Sequence, residues 1–468
     1  MWKWILTFTL FFLSFVATSQ IWDLQRCIDH ALINNLDIQI GELQLHIANN
    51  NQKQSKLDRL PTLNLDANHN YNLGRAIDPF TNTFSNQSIQ SNRFGMSSGM
   101  TLFNGFRINN NIKKQNLAYE IAGSSLEVVK NDVTLSIANA YLQVLFSIQQ
   151  KEIALAQQIR TNAQLERSLQ LYKAGVIDPS QLLSIEAQQA QDKVTLVNAE
   201  NQIRSNYVRL KNLLQLPLQE VFSVIPPQQI KIELSNVENL NVIYQAAENQ
   251  LPQVELAKKQ TEQALIDIDL AKANLLPTLT SFYSLQTVYS QSNRSLNGFT
   301  SRFDSIGFVN STNDAVLVQR SVGNYIQTPY ANQLRNNLGQ SIGFSLRIPI
   351  FNQLSNRNRL QNAKIQADIA KKNQASVKNN LKLSVAQSYN DYINAAATYQ
   401  ATLENQKAQE KNYDIIQKRF EAGIVNSLDL LLAKNSLETA LSNTNRSKYD
   451  LLFRKLILDF YQGKSLKL

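Results

Sequence analysis

Leu381-Lys-Leu-Ser-Val385-Ala-Gln-Ser-Tyr389-Asn-Asp-Tyr392-Ile-Asn-Ala-Ala396-Ala-Thr-Tyr399-Gln-Ala-Thr-Leu403 decides how this chain is read. Its apolar residues Leu381, Val385, Tyr389, Tyr392, Ala396, Tyr399 and Leu403 recur at spacings of four, four, three, four, three and four. That is one narrow stripe on a helix. Around it, residues 352–422 form 71 positions without Gly or Pro, a permissive run for one unbroken helix. At about 1.5 Å per residue that helix is roughly 105 Å long, far beyond the helices of ordinary globular domains. Its remaining surface is Asn, Gln, Lys, Ser and Ala, so the rod packs sideways on other rods and shows water the rest.

The rod occurs twice. Phe103-Asn104 matches Phe351-Asn352 at an offset of 248, and the same offset sets Tyr172-Lys-Ala-Gly175-Val176 on Phe420-Glu-Ala-Gly423-Ile424. Upstream, Leu60-Pro61-Thr62-Leu63 matches Leu276-Pro277-Thr278-Leu279 at an offset of 216, as Ala31 matches Ala247. The 32-residue difference is extra length between the two strands of the second copy. The first rod carries its own stripe at Leu126, Val129, Val133, Ile137, Ala140, Val144 and Ile148. Glycine turns at Gly175 and Gly423 end both rods. Strong caps then start returning helices: Asp178 with Pro179 and Gln181, a capping-box pattern, and Asn426 with Asp429. Each rod is thereby predicted to fold back as an antiparallel hairpin, the returns ending near Pro217 and Gly463.

Ahead of each rod the period changes. Asp23 to about Leu57 reads as one helix. Leu63, Leu65, Ala67, His69, Tyr71 and Leu73 then alternate with Asn64, Asp66, Asn68, Asn70 and Asn72. After a polar loop of about 20 residues comes a second strand, Phe94 to Leu102. In the second copy Leu279–Tyr289 gives a less regular strand. Ile342, Phe344, Leu346, Ile348 and Ile350, alternating with Ser341, Gly343, Ser345 and Arg347, give a sharp one. The class is α+β with internal duplication. Each strand is long enough to cross a bilayer when tilted, but four strands cannot close a barrel. If they span a membrane, several chains must share one barrel, because open edges are not tolerated in lipid.

Residues 1–19, with Lys3, an apolar run from Trp4 to Ala17 and Ala17-Thr18-Ser19, read as a signal peptide. The remaining organisation is a first repeat over 20–223, a linker over 224–240 around Pro226-Pro227 and Ile230–Leu234, and a second repeat over 241–468. The formal net charge of +10 comes from basic residues scattered along the rods, which reads as solvated faces and not as a nucleic-acid surface. One cysteine, Cys27, permits no internal disulfide. Gly95-Met96-Ser97-Ser98-Gly99 fits the serine-hydrolase expression, yet its glycines lie mid-strand and only His30, His46 and His69 could serve as partners. No metal or cofactor motif is present, and the chain reads as no enzyme.

These pieces together resemble the TolC family of outer-membrane efflux conduits over nearly the whole chain. The residues that carry the resemblance are Asp23-Leu-Gln-Arg-Cys-Ile-Asp-His-Ala-Leu32, the paired Leu-Pro-Thr-Leu segments, Leu213-Leu-Gln-Leu-Pro-Leu218, and Ala-Gly-Val-Ile-Asp at 174–178 with Ala-Gly-Ile-Val-Asn at 422–426. The resemblance implies a homotrimer with a twelve-stranded barrel in the outer membrane of a Gram-negative bacterium and a helical tunnel in the periplasm. It also implies an adaptor protein at the tunnel tip and an inner-membrane pump, in an efflux or type I secretion system. The tip residues would be Gly175, Val176, Ile177, Asp178, Gly423, Ile424, Val425 and Asn426. Phe420 and Asp429 would narrow the periplasmic entrance, although Leu432 replaces a second acidic position of the family. Ser341, Ser345 and Arg347 would line the barrel lumen. The alternative is an exported coiled-coil tether of the envelope without a pore, which explains the rods and leaves the strands unused.

Overall fold

The structure is a computed structural model and describes residues 20–77, 82–86, 88–225, 238–464 and 466. The signal-peptide reading of residues 1–19 and the linker residues Pro226-Pro227 and Ile230–Leu234 lie outside them. In chain order the elements are β1 (Gln20–Trp22), α1 (Leu24–Asn34), α2 (Leu36–Leu57), β2 (Thr62–Asn72), β3 (Ala76–Ile77), β4 (Phe84–Ser85), β5 (Ile89–Asn104), α3 (Arg107–Lys173), α4 (Pro179–Leu214) and β6 (Phe222–Val224). There follow α5 (Leu240–Gln250), α6 (Pro252–Ala273), β7 (Thr278–Ser290), β8 (Arg294–Phe308), β9 (Ala315–Gln327), α7 (Tyr330–Asn336), β10 (Gly339–Arg347), α8 (Ser355–Glu421) and α9 (Ser427–Tyr461). The sequence offsets reappear as element boundaries. α1 and α2 map onto α5 and α6 at 216, and α3 maps onto α8 at 248, both rods being 67 residues long.

Two compact units result. One falls within Met1–Asn49, Leu117–Glu262 and Asp368–Leu468, and among its described residues the only strands are the short parallel pair β1–β6. The two stripes form its cores. Leu126, Val133, Ile137 and Val144 pack with Cys27, Ala31, Leu210 and Leu214, and Leu381, Val385 and Tyr392 pack with Ile243, Ala247, Leu451 and Leu458. Each such side chain contributes about 1.5–3 kcal/mol by leaving water. α4 returns antiparallel to α3: Asn162–Gln189 (3.0 Å), Lys151–Glu200 (3.1 Å) and Gln143–Asn206 (3.0 Å) lie progressively farther from Gly175 on both helices. Tyr141 Oη donates to Trp22 O at 3.0 Å and accepts from Ile225 N at 3.2 Å, which ties the β1–β6 end to α3. Burial of Cys27 pushes its thiol up to about 12, so it is inert as a nucleophile.

The second unit, Asn50–Asn116 and Gln263–Ala367, holds an antiparallel sheet in the order β10-β7-β5-β2. Two expectations change here. The segment between β7 and β10 is not a plain loop: it contains the long hairpin β8–β9 and the helix α7. Gln333, fully buried, locks the base of that hairpin by accepting from Ser290 N (3.0 Å) and donating to Thr328 O (2.8 Å). The first loop carries the small pair β3–β4, and β5 begins earlier, at Ile89.

Other boundaries shift for local reasons. The helix expected over Asp23–Leu57 breaks at Asn35, whose backbone is extended (φ −68°, ψ 131°). Its Oδ1 accepts from Asp37 N at 2.9 Å and its Nδ2 donates to Leu213 O at 3.1 Å, so one buried side chain starts α2 and anchors the break. In the second copy Leu251 and Pro252 make the same break. The rods start three residues later than Asn104 and Asn352. At both junctions two consecutive residues take positive φ, Gly105 and Phe106 in one copy and Gln353 and Leu354 in the other. A Cβ on Gly105 would lie 2.8 Å from Ala273 O and from Leu276 Cβ, so only glycine fits.

Candidate functional site

Each helical hairpin ends in the same turn. Gly175 (φ 75°) donates its N–H to Tyr172 O at 2.9 Å while Val176 N–H reaches Leu171 O at 2.9 Å. Gly423 (φ 74°) repeats this with Phe420 O at 3.0 Å and Ile424 N–H to Arg419 O at 2.9 Å. These paired bonds satisfy the last carbonyls of a rod in the Schellman manner. The chain then turns into a capped helix. Asp178 Oδ1 accepts from Ser180 N (2.7 Å) and Gln181 N (3.3 Å), and Asn426 Oδ1 accepts from Asp429 N (2.9 Å). The hydrogen bonds from Ser180 hold the Asp178 carboxyl below the usual carboxylate range. Gly175, Val176, Asp178, Gly423, Ile424 and Asn426 are exposed, with Ile177 and Val425 half-buried, so the turns present a pair of short apolar tips.

Asp429 is exposed in the first turn of α9, and Phe420, at the end of α8, is only 6% exposed.

The sheet has two chemically distinct faces. Register brings Ser341, Ser284, Ser97 and Asn64 into one row across the four strands, and Ser284 Oγ lies 2.7 Å from Ser341 Oγ. Ser345 faces Thr280 and Arg347 faces Thr278 on the same side. The other side carries Leu63, Leu65, Tyr283, Leu285, Ile342, Phe344 and Leu346. Leu65 is 79% and Ile342 78% exposed. Within the chain nothing pairs with the outer edges of β2 and β10 among the described residues. Ser97 of the hydrolase-like motif sits inside β5 and not at a strand-to-helix turn, the position a nucleophile there requires. No helix among the described residues is long and apolar enough to cross a membrane.

One constellation was not read from the sequence. Lys434 of α9 reaches Asp192 Oδ2 of α4 at 3.0 Å and Thr161 Oγ1 of α3 at 2.6 Å, deep in the helical unit. Thr161 also donates to Asp192, and Gln188 Nε2 donates to Asp192 Oδ1 at 2.8 Å. A signal existed: Asp192 lies midway between buried Ile185 and Ala199 at heptad spacing, and Lys434 sits among Leu430, Ala433 and Leu437. Charges at core positions mark a buried pair.

The comparisons agree with this architecture. The model of the outer membrane efflux protein family matches residues 27–215 and 242–463, most of the chain. No curated protein matches the sequence. Among solved structures, the outer membrane protein VceC from Vibrio cholerae superposes with a TM-score of 0.70 at 15% identity, covering 95% of this chain and 96% of that one. The Campylobacter jejuni CmeC outer membrane channel gives 0.70 at 14% identity, covering 95% and 86%. The open state of the Neisseria gonorrhoeae MtrE outer membrane channel gives 0.66 at 18%, covering 95% and 89%. With both repeats matched and the fold shared along its length, the chain belongs to the outer membrane efflux protein family.

Proposed function

We propose that the chain is one subunit of a homotrimeric conduit, a passive route through the outer membrane that continues into a periplasmic tunnel and opens at its tip when an adaptor binds. Family membership itself puts the chain in the outer membrane of a Gram-negative bacterium, with its helical part in the periplasm. The observation that carries the rest is the sheet. It has an exposed apolar face suited to lipid, a polar face suited to water, and two edges that pair with no other described residue of the chain. Backbone edges cannot stand open in a bilayer, and the smallest membrane barrels need about eight strands. Three copies would supply twelve. Ile33, Leu36, Ile40, Leu43 and Ile47, exposed at spacings of three and four along α1 and α2, support sideways packing of a second copy on the helices.

In this reading Ser341, Ser345 and Arg347 line the lumen. The Gly175–Asp178 and Gly423–Asn426 turns meet the adaptor, and Asp429 contributes charge at the periplasmic entrance. Energy comes from an inner-membrane pump, and the chain contributes only steric and electrostatic control. Washing membranes with carbonate tests the proposal. The chain should remain with the membrane and come off only in detergent, whereas release by carbonate or salt would return it to the tether alternative.

A further inference from the structure

Along β7 the polar face reads Thr278, Thr280, Phe282, Ser284, Gln286, Val288 and Ser290, so a phenyl ring interrupts the hydroxyl and amide side chains of its first half, with a small Val near the far end. The cross-strand neighbours of Phe282 are both glycines, Gly343 on β10 and Gly99 on β5. The ring leans toward Gly343: a Cβ placed there would lie 2.5 Å from Phe282 Cζ and 2.8 Å from Cε1. The ring therefore lies across the bare backbone of β10, in the space a side chain would take, and remains 46% exposed. The Ser284–Ser341 hydroxyl pair borders it on one side, and Thr280, donating to Ser345 O at 3.5 Å, on the other.

We propose that Phe282 is an aromatic subsite on the inner wall of the channel, which receives planar aromatic portions of the cargo by stacking while the flanking hydroxyls take their polar substituents. This rests on the conduit reading, in which the polar face borders the lumen. Resting its distal edge over Gly343 and 46% exposed, the ring offers aromatic surface on this face of the sheet. A single stacking contact is weak enough to let cargo leave, as a conducting path requires. The same side chain on the lipid side would be one apolar residue among many. On this face it is an aromatic ring out of pattern, and Gly343 leaves the room that it occupies.

The test uses the full chain in planar bilayers, with acridine orange as a planar aromatic cation and tetraethylammonium as a cation without a ring. In Phe282→Ser the potassium chloride conductance should stay at the parent value. Block by acridine orange should need roughly three- to tenfold more probe, and block by tetraethylammonium should not change. Phe282→Leu keeps an apolar cover over Gly343, so it assembles, and should show the same selective loss. Gly343→Ala should push the ring off the wall and lower conductance, which the double variant with Phe282→Ser should restore. Acridine orange block equal to the parent in either Phe282 variant, or both probes weakened alike, would overturn the subsite and leave the ring a cover for Gly343. A parent chain that forms no pore would instead overturn the conduit reading.

Discussion

Lys434 Nζ stands 3.0 Å from Asp192 Oδ2, and the pair joins the second helical hairpin to the first from positions 3% and 9% exposed for the Asp and Lys side chains. Buried partners of this kind are asymmetric in their energetics. Removing one leaves a charge without compensation in a low dielectric, whereas replacing both by apolar groups of similar size is nearly neutral. Lys434→Met should therefore destabilise the helical unit by about 3–5 kcal/mol, while Asp192→Leu combined with Lys434→Met should lie near the parent. Thermal melting of the helical circular dichroism in detergent checks both, and equal losses in the single and double variants would contradict the pairing.

Beside this pair, Glu438 is pushed up from an ordinary 4.5 to about 7. Burial is the main cause, Asp192 adds to it, and Lys434 and Arg160 oppose it. Tyr413 of α8 sits in the same surroundings, its hydroxyl also raised by burial. Because the folded value lies above the unfolded one, the folded state gains from the proton. That gain is complete below about pH 4.5 and is lost as pH rises through about 7. Glu438→Gln should match the parent near pH 4 and exceed it near pH 8 by at most about 3 kcal/mol. A melt that shows the advantage at acid pH would reverse the assignment.

Gly175 and Gly423 hold φ of 75° and 74°, and a Cβ on either would meet nothing within 4 Å. The cost of alanine there is thus backbone strain alone, about 1 kcal/mol per turn. Gly175→Ala and Gly423→Ala should speed amide exchange around the turns several-fold without changing the rods far from them. Asparagine, which tolerates this conformation better, should be milder. Unchanged exchange in both alanine variants would contradict the strained turns.

The two faces of the sheet should respond oppositely to charge. Ile342→Lys places an ammonium on the apolar face and should cost about 2–4 kcal/mol of membrane stability if that face meets the bilayer core. Ser341→Lys, one residue earlier and on the polar face, should be tolerated. The assembled fraction in outer membranes distinguishes them, and equal effects would mean the faces are misassigned.

Much of this architecture was legible in the sequence. The offsets 216 and 248 became helix boundaries because duplicated apolar stripes, glycine turns and Asp or Asn caps fix element ends locally. What escaped depended on partners distant in sequence. The break at Asn35 is fixed by Leu213, 178 positions away, which no local pattern announces. The β8–β9 hairpin hides because both its faces are exposed and mixed, with Arg302 opposite Arg320, so it lacks the alternation that marks a half-buried strand. Lys434 and Asp192 passed as ordinary surface charges in polar helices, because only the packing of α3, α4 and α9 on one another buries them. The turns at Gly175 and Gly423 and the alternation of β10 needed only local chemistry to be read as structure.

The central claim is that the four-stranded sheet is one share of a barrel closed by other copies. Extracting the outer membrane in detergent and measuring the particle's mass, with the bound detergent subtracted, tests this most directly. The account expects a particle near three times the mass of the mature chain, which is somewhat below the 53.0 kDa of the full 468-residue sequence. A stable particle of one chain, with its apolar sheet face and both edges unshared, would contradict it.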